Sequence, residues 1–424
     1  MSQRTGSRVD LIAGAASLVL VALAAVVGVN TPSLFAGAPP LFAVLLPHVG
    51  PGTPLALAVA AAVVFWGPGL AARLGWRPAL ALTYLTAVAW TFALALVDGW
   101  QRGVADRLAR KDEYLHEVGG ITDIGAMLRG FSARILDFKP DSWTTHVAGH
   151  PPGATLVFVW LDRLGLGGGA WAAMLCVLVG ALTAVAVPGT IRALGSDSLA
   201  RSALPFLALL PGAVWVGVSA DGLFAGVTAV GIALLARRHW AAWLGGGVLL
   251  GFGIFLSYGL VLLGLVALGV VLATRRWLSL ALAVLGALAV VAAFAAAGFW
   301  WLDGYHLVVE RYYQGIASVR PYGYWVWANF AALALAAGPA TAAGLTRLNR
   351  SAKPLLLLTG AALLAVLAAD LTGLSKAEVE RIWLPFTVWL VPAAALLPGP
   401  ARRWWLAAQA LTALAVNHVL LTNW

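Results

Sequence analysis

The chain is a series of long apolar runs separated by short polar segments. A helix needs about 20 apolar residues to cross a bilayer, with a range of roughly 17–25. Runs of this length recur along the whole chain, so the pattern predicts an all-α polytopic membrane protein with about 11–13 transmembrane helices. The predicted spans are residues 11–29, 54–72, 79–97, 170–191, 203–218, 222–236, 242–257, 259–273, 278–299, 325–345, 354–370, 382–397 and 403–421.

One long apolar run, residues 242–273, is divided into two spans. As a single helix of about 32 residues it would be roughly 48 Å long at 1.5 Å per residue, far more than a bilayer requires. The first run, residues 11–29, is too long for the core of a signal peptide and is kept as a span. We therefore treat residues 1–424 as one transmembrane domain.

Composition agrees with the membrane interpretation. Hydrophobic residues make up 61% of the chain and charged residues only 10%, whereas soluble domains carry about 25% charged residues. This composition excludes soluble, disordered and coiled-coil proteins. Cys176, the lone cysteine, lies within an apolar run, so no internal disulfide and no cysteine metal site is expected.

The basic residues are concentrated in alternate short connections, which sets the expected orientation. With the N-terminus in the cytoplasm, 15 of the 27 cations and two of the 17 acids lie inside. The inside then carries a net +13 and the outside −3. The overall charge of +10 therefore reports topology, and no nucleic-acid partner is expected.

The predicted outer side has the longer connections, residues 98–169, 300–324 and 370–381. The first contains two amphipathic pieces, Ile124–Phe138 and Pro152–Leu164. The second piece, about 13 residues long, is too short to cross a bilayer of about 30 Å and is expected at the outer membrane surface.

Three carboxylates in the first connection are candidate bases. Asp98 ends the third span, where partial desolvation would allow its carboxylate to act as a base at neutral pH. Alternatively, Asp98 is an interfacial residue that simply ends the helix. Asp112 and Glu113 are neighbours and can share a proton or hold a sugar hydroxyl. Tyr114 beside them suggests a segment docked on the membrane surface.

Two further features of the outer side are candidate ligand contacts. In His146-Val-Ala-Gly-His150-Pro-Pro-Gly153 the prolines fix a turn that presents His150 at a helix start, and Gly153 permits close approach to a ligand. Either histidine alternatively serves as a structural hydrogen-bonding group. Asp221 opens an apolar helix, where an Asp also simply stabilises the helix start.

The last two outer connections combine aromatic and basic residues. Aromatic rings stack on sugar faces and arginine forms bidentate bonds with phosphate, although an interfacial aromatic belt or an internal Glu–Arg bridge would leave similar patterns. The candidates for substrate contact in these connections are His306, Glu310 and Tyr312, and Tyr258, between the predicted spans 242–257 and 259–273, is a further candidate. The candidates for phosphate contact are Arg311, Arg320, Lys376, Glu380 and Arg381.

In this order the features resemble the GT-C superfamily of membrane glycosyltransferases, which use polyprenyl-phosphate sugars. The resemblance rests on the acidic outer connection (Asp98, Asp112, Glu113), the His150-Pro151-Pro152 turn, the Ser219-x-Asp221-x-Leu223-Phe224 helix start and the Glu380-Arg381-x-x-Leu384-Pro385 re-entry. The overall sequence pattern is similar to that of integral membrane members of this superfamily from actinobacteria.

The resemblance implies a GT-C-like helix bundle with jaw-like amphipathic helices on the outer face of a bacterial plasma membrane. It implies a carboxylate base, one of Asp98, Asp112 and Glu113, and a lipid phosphate held by Arg381 with Arg311 or Arg320. Tyr114, His146, His150 and Asp221 would join the substrate contacts. The implied partners are a polyprenyl-phosphate-linked sugar donor, a glycan or glycolipid acceptor and the bilayer.

Two other functions stay open from the sequence. A flippase or transporter of a lipid-linked sugar would place charges at the membrane midplane and often contains paired repeats, whereas here the acids collect on one predicted side and no repeat is evident. A non-catalytic subunit of envelope assembly is the third hypothesis. No cofactor is expected, and a divalent metal is not supported by any ligand spacing.

Overall fold

The chain folds almost entirely into helices. The structure, a computed structural model, describes residues 2–217 and 219–423. The α-helices are α1 Ser2–Val29, α2 Thr53–Arg73, α3 Trp76–Ala95, α4 Leu115–Val118, α5 Ile124–Gly130, α6 Thr145–Gly149, α7 Pro152–Arg163, α8 Gly169–Gly180, α9 Thr183–Ala193, α10 Asp197–Ala208, α11 Ala213–Val216, α12 Ala220–Leu235, α13 Trp240–Leu256, α14 Gly264–Thr274, α15 Trp277–Ala296, α16 Trp301–Gln314, α17 Tyr322–Ala337, α18 Pro339–Leu345, α19 Lys353–Leu371, α20 Val379–Ile382, α21 Leu384–Leu390 and α22 Arg402–Val419.

Short turns of tighter or wider helix connect several of these elements. The 3₁₀ turns are Leu96–Asp98, Arg107–Ala109, Ser132–Arg134, Tyr258–Leu263, Ile316–Ser318, Arg350–Ala352, Val391–Leu396 and Gly399–Ala401, and Gln101–Ala105 is a π turn. Two short strands, β1 Ala43–Leu45 and β2 Leu420–Thr422, pair antiparallel with Ala43 opposite Thr422. This pair fixes the end of the chain beside the connection that follows α1.

Six helices of the described chain are long and apolar enough to cross a membrane, and two bent helix pairs raise the number to eight. The six are Gly6–Val29, Thr53–Arg73, Trp76–Asp98, Gly169–Ala193, Trp277–Ala296 and Arg350–Leu371. The chain is therefore an all-α polytopic membrane protein. Most residues of α1 and α15 are exposed on the protein surface, as suits helices that face lipid.

The number of spans is lower than the 11–13 expected from sequence, because several apolar runs form short or interrupted helices. Ala220–Leu235, Trp240–Leu256 and Tyr258–Thr274 have between 10 and 17 residues each, and a 16-residue helix is about 24 Å long against a hydrocarbon core of about 30 Å. The predicted span 203–218 is divided between α10 and α11.

The predicted span 325–345 is broken at Gly338, where α17 and α18 meet at 105°. Gly338 has φ +80°, and a Cβ at this position would lie 1.8 Å from Gln409. The Gln409 side chain donates to the Ala337 carbonyl (2.9 Å) and accepts from the Ala340 amide (3.2 Å). One buried amide of α22 thus satisfies backbone groups that the break leaves without helical partners.

Three local predictions are confirmed by the structure. The run 242–273 is interrupted at Ser257, which is extended between α13 and the following 3₁₀ turn. A helix begins at Pro152, and another begins with Asp221 in its first turn. The close approach expected at Gly153 occurs, but it is to the backbone of Phe255 in α13, since a Cβ there would lie 2.5 Å from the Phe255 carbonyl oxygen.

Candidate functional site

Arg381 of α20 is the centre of a buried group of charged side chains. Its Nη1 donates to Asp221 Oδ2 of α12 at 2.9 Å, and its Nη2 donates to Glu378 Oε2 at 2.7 Å. The same Nη2 lies 3.2 Å from His146 Nε2 of α6. Asp221, His146 and Arg381 are all at most 6% exposed. Three elements far apart in sequence therefore meet through one guanidinium.

Glu113 lies at the edge of this group and is 2% exposed. Its Oε1 is 3.6 Å from His146 Nδ1. Burial raises the pKa of Glu113 to about 8; Arg381 opposes this shift, and the carboxylates of Asp112 and Asp221 reinforce it. At neutral pH the Glu113 carboxyl therefore holds its proton most of the time and titrates just above neutrality.

His146 is neutral and has a defined tautomer. Its Nε2 faces the Arg381 guanidinium, which can only donate, so Nε2 is an acceptor and the proton is on Nδ1. Nδ1 donates to the Asp112 carbonyl at 2.8 Å. Burial, followed by repulsion from Arg381, lowers the pKa of His146 to about 3. His146 thus links the acidic segment to Arg381 without adding charge.

Aromatic rings cover one side of the group. Tyr114 stacks on Phe158 of α7 with ring centroids 5.2 Å apart and also contacts His150 at 5.7 Å. His150 Nδ1 bonds the His146 carbonyl at 2.8 Å, and its ring lies 5.6 Å from Phe224 of α12. The rigid His-Pro-Pro turn therefore packs both histidines against the core.

The backbone is strained where it presents the acidic partner of Arg381. Ala377 and Glu378 both have left-handed conformations, with φ +74° and +65°, which non-glycine residues rarely adopt. Burial tends to raise the pKa of Glu378, but the charges of Arg381 and Arg320 outweigh it and hold that pKa below its ordinary value. Glu378 is therefore an ionised bridge between two arginines.

A second charged group surrounds Asp98. Its Oδ1 lies 2.8 Å from His48 Nε2, and its Oδ2 lies 2.9 Å from Arg107 Nη2 and 3.4 Å from Arg102 Nε. Arg102 and Arg107 also donate to the Thr422 carbonyl of β2, at 3.1 and 3.2 Å.

Arg102, Arg107 and Arg110, which we call the arginine triad, pair with two carboxylates, Asp98 and Asp112. Arg110 donates to the Asn423 carbonyl at 2.8 Å and lies 3.6 Å from Asp112. Burial lowers the pKa of Arg107 to about 10, and repulsion from Arg102 and Arg110 contributes to the shift. Asp112 joins the triad to the Arg381 group, since its carbonyl accepts from His146.

The other basic residues predicted to bind phosphate are already engaged by the protein. Arg320 donates to the carbonyls of Leu34 (3.1 Å), Phe35 (3.1 Å) and Lys376 (2.9 Å), and it pairs with Glu378. The Lys376 ammonium donates to the Ala317 carbonyl at 2.7 Å. These bonds tie the connection before α17 to the connection before α20.

The remaining predicted residues lie outside the two charged groups. Arg311 pairs with Asp137 at 2.5 Å, and the Tyr312 hydroxyl accepts from the Lys376 amide at 2.9 Å. His306 and Glu310 are exposed on α16, and Tyr258 packs against Trp301 with centroids 5.3 Å apart.

Glu380 is fully buried and accepts from the Phe42 amide at 3.3 Å. Burial raises its pKa to about 7. These two neighbouring residues therefore face different parts of the protein, Glu380 towards Phe42 and Arg381 towards α12 and α6.

Several charged residues of the two groups were not among the predicted site residues. Glu378 precedes Arg381 by three positions and Arg102 follows Asp98 by four, which are spacings that bring side chains together on a helical turn. His48 gives no local signal, since it lies 50 positions before Asp98.

The described residues contain no group of three or more His, Cys, Asp or Glu side chains arranged to hold a metal ion. In comparisons with known proteins, the chain matches no family model, no curated protein and no solved structure.

Proposed function

We propose that the protein is a membrane glycosyltransferase that moves a sugar from a polyprenyl-phosphate donor to an envelope glycan or glycolipid on the outer face of a bacterial plasma membrane. One observation carries the proposal. A carboxyl group that titrates near neutral pH, Glu113, lies one residue from Asp112, which pairs with the arginine triad. Sugar transfer from a lipid phosphate needs a base and a phosphate site next to each other.

Glu113 is the proposed general base. A base is most effective when its pKa is close to the working pH, and burial brings the pKa of Glu113 to about 8. Asp98 is instead held by two arginines and His48, and Asp112 pairs with Arg110. We assign these two carboxylates to orienting the arginine triad.

The arginine triad, rather than Arg381, is the proposed contact for the lipid phosphate. Arg102 and Arg110 have side chains that are 43% and 37% exposed, whereas Arg381 is 5% exposed and bridges Asp221 and Glu378. Trp100, 52% exposed, lies next to the triad in the chain and provides an apolar surface for the first isoprene units.

The proposed step is a displacement at the anomeric carbon. Ionised Glu113 takes the proton of the acceptor hydroxyl as its oxygen forms the new bond to the sugar. The bond between the anomeric carbon and the phosphate oxygen breaks, and polyprenyl phosphate leaves while Arg102 and Arg110 stabilise its negative charge. Protonated Glu113 then returns its proton to water. Glu113 is 2% exposed, so the proposed step requires the side chains that cover it to move before the acceptor hydroxyl can reach it.

The placement of charges supports an active site on one side of the membrane. The ion pairs Asp10–Arg347 and Asp197–Arg192 join residues that are all predicted inside. Asp98–Arg107 and Asp221–Arg381 join residues that are all predicted outside. Each of these pairs joins residues assigned to the same side, which supports the proposed separation of the connections into two sides.

The proposal is tested by measuring free polyprenyl phosphate released by the purified protein in nanodiscs from a panel of polyprenyl-phosphate sugars with acceptor glycans. Glu113→Gln should lower turnover by roughly 100-fold or more, the range of general-base catalysis. Arg102→Gln with Arg110→Gln should raise KM for the donor and lower kcat, because both arginines would hold the phosphate and stabilise its charge as it leaves. Asp303→Asn, an exposed carboxylate of α16 that is not a candidate site residue, is the control and should retain full activity.

If Glu113→Gln turned over donor at the wild-type rate, the assignment of the base would be wrong. If no donor were cleaved by the wild-type protein while labelled sugar-lipid crossed vesicle membranes, the protein would be a flippase, and the glycosyltransferase proposal would be contradicted.

A further inference from the structure

An apolar groove lies between α2 and α3, with α10 as its floor, and encloses a cavity of about 310 Å³. We call it the α2–α3 groove. Small side chains create the space, among them Ala62, Gly67 and Ala89. Trp66 and Leu85 at its rim are 64% and 62% exposed. The groove is therefore open along its length to whatever surrounds the helices.

The groove suits one extended hydrocarbon chain. Along α2 its lining runs from Val59 to Leu74, which is about 22 Å at 1.5 Å per residue and exceeds half of a hydrocarbon core of about 30 Å. Its only hydroxyls, among the described lining residues, are those of Thr83 and Thr86, which donate to helix carbonyls at 2.8 and 2.7 Å. The lining consequently offers no free donor to a polar ligand.

One end of the groove is strongly basic. Arg73 and Arg77 flank the turn between α2 and α3, are exposed, and form no ion pair among the described residues. Arg192 and Arg201 share one acid, Asp197, at 2.6 and 2.7 Å.

Trp76 holds this basic end together. Its ring lies 4.6 Å from the Arg192 guanidinium and 5.8 Å from that of Arg201. Arg201 Nη1 also donates to the carbonyls of Ala71 and Leu74, at 3.0 and 2.9 Å. Four cations and one acid therefore collect where the groove ends.

We propose that the α2–α3 groove binds one anionic glycerophospholipid, with an acyl chain along the groove and the phosphate headgroup at Arg73 and Arg77. The groove alone would accept any hydrocarbon chain, and the arginines alone would be explained by the cytoplasmic location of this turn. An apolar groove that ends at a cluster of arginines matches a phospholipid, which has a long acyl chain and a negatively charged headgroup. The site is separate from Glu113 and the arginine triad and does not depend on the proposed glycosyltransferase activity.

The test is native mass spectrometry of the delipidated full chain after addition of an anionic phospholipid, a zwitterionic phospholipid, diacylglycerol or inorganic phosphate. Wild type should retain one anionic phospholipid most strongly. Arg73→Gln with Arg77→Gln should weaken its binding by roughly 30-fold, from the contribution of each arginine near a lipid headgroup. Arg350→Gln, an exposed arginine away from the groove, should bind as wild type.

A second pair of variants separates loss of the groove from misfolding. Ala62→Phe fills the groove and should reduce binding of every lipid with an acyl chain, whereas Ala61→Phe, on the exposed face of the same helix, should not. Equal retention by wild type, Ala62→Phe and the double arginine variant would overturn the proposal. Preference for diacylglycerol, or binding of inorganic phosphate alone, would also contradict it.

Discussion

At the scale of single residues, burial decides the chemistry of the candidate site. Glu113 and His146 lie 3.6 Å apart, and their pKa values are shifted in opposite directions from the ordinary values. Burial favours the neutral form of each, so it raises the pKa of the acid to about 8 and lowers that of the base to about 3. Pairs of groups with pKa values driven apart are typical of functional sites.

The raised pKa of Glu113 predicts how stability depends on pH. Between about pH 4.5 and 8 the unfolded chain releases the Glu113 proton while the folded chain keeps it, so stability falls as pH rises through this window. The melting temperature of Glu113→Gln in detergent should therefore fall less between pH 5 and pH 8 than the melting temperature of wild type. Glu310→Gln, exposed on α16, should follow wild type. Parallel curves for all three proteins would show that Glu113 titrates normally.

Arg381 is predicted to be structurally costly to remove. Arg381→Met would leave the buried Asp221 without its ion-pair partner and would leave Glu378 paired with Arg320 alone, at a cost of about 3–5 kcal/mol. Arg311→Met breaks the partly exposed pair with Asp137 and should cost about 0–1 kcal/mol. Thermal unfolding in detergent measures both. An equal, small loss for the two variants would mean that Arg381 contributes no more than a surface arginine.

At the scale of helices, sequence predicts the unbroken spans well and the interruptions poorly. The predicted span 54–72 corresponds to α2, Thr53–Arg73, because an apolar run with polar ends has one stable arrangement in a bilayer. The break at Gly338 was not predicted. It depends on Gln409, which is 71 positions away and supplies the missing hydrogen bonds. The pairing of His48 with Asp98 likewise requires a tertiary contact that no local pattern encodes.

Gln409 is therefore expected to stabilise the broken helix pair. Gln409→Leu keeps much of the side-chain volume but leaves the Ala340 amide without its acceptor, while the Ala337 carbonyl keeps only the bond from the Thr341 hydroxyl. Each buried unsatisfied group costs about 1–3 kcal/mol. The melting temperature in detergent should drop clearly for Gln409→Leu and little for Leu411→Ala, an exposed position of α22. A Gln409→Leu protein as stable as wild type would contradict the role of this side chain.

For the molecule as a whole, the orientation in the membrane decides whether the Arg381 group and the Asp98 group face the outside or the cytoplasm. Lys139→Cys and Ala193→Cys place single exposed thiols at the two ends, while Cys176 is buried. A membrane-impermeant maleimide added to intact cells should label position 139, and it should label position 193 only after lysis. The reverse pattern would place both charged groups in the cytoplasm and remove the basis for an outer-face enzyme.

Glycosyltransferase activity is tested most directly by following a labelled polyprenyl-phosphate sugar that is supplied with acceptor to the purified protein in nanodiscs. We predict that wild type releases polyprenyl phosphate and transfers the sugar to the acceptor, and that turnover by Glu113→Gln is lower by roughly 100-fold or more. An intact donor after incubation with well-folded wild type, across the whole panel of sugars, would contradict the claim that the protein is a glycosyltransferase.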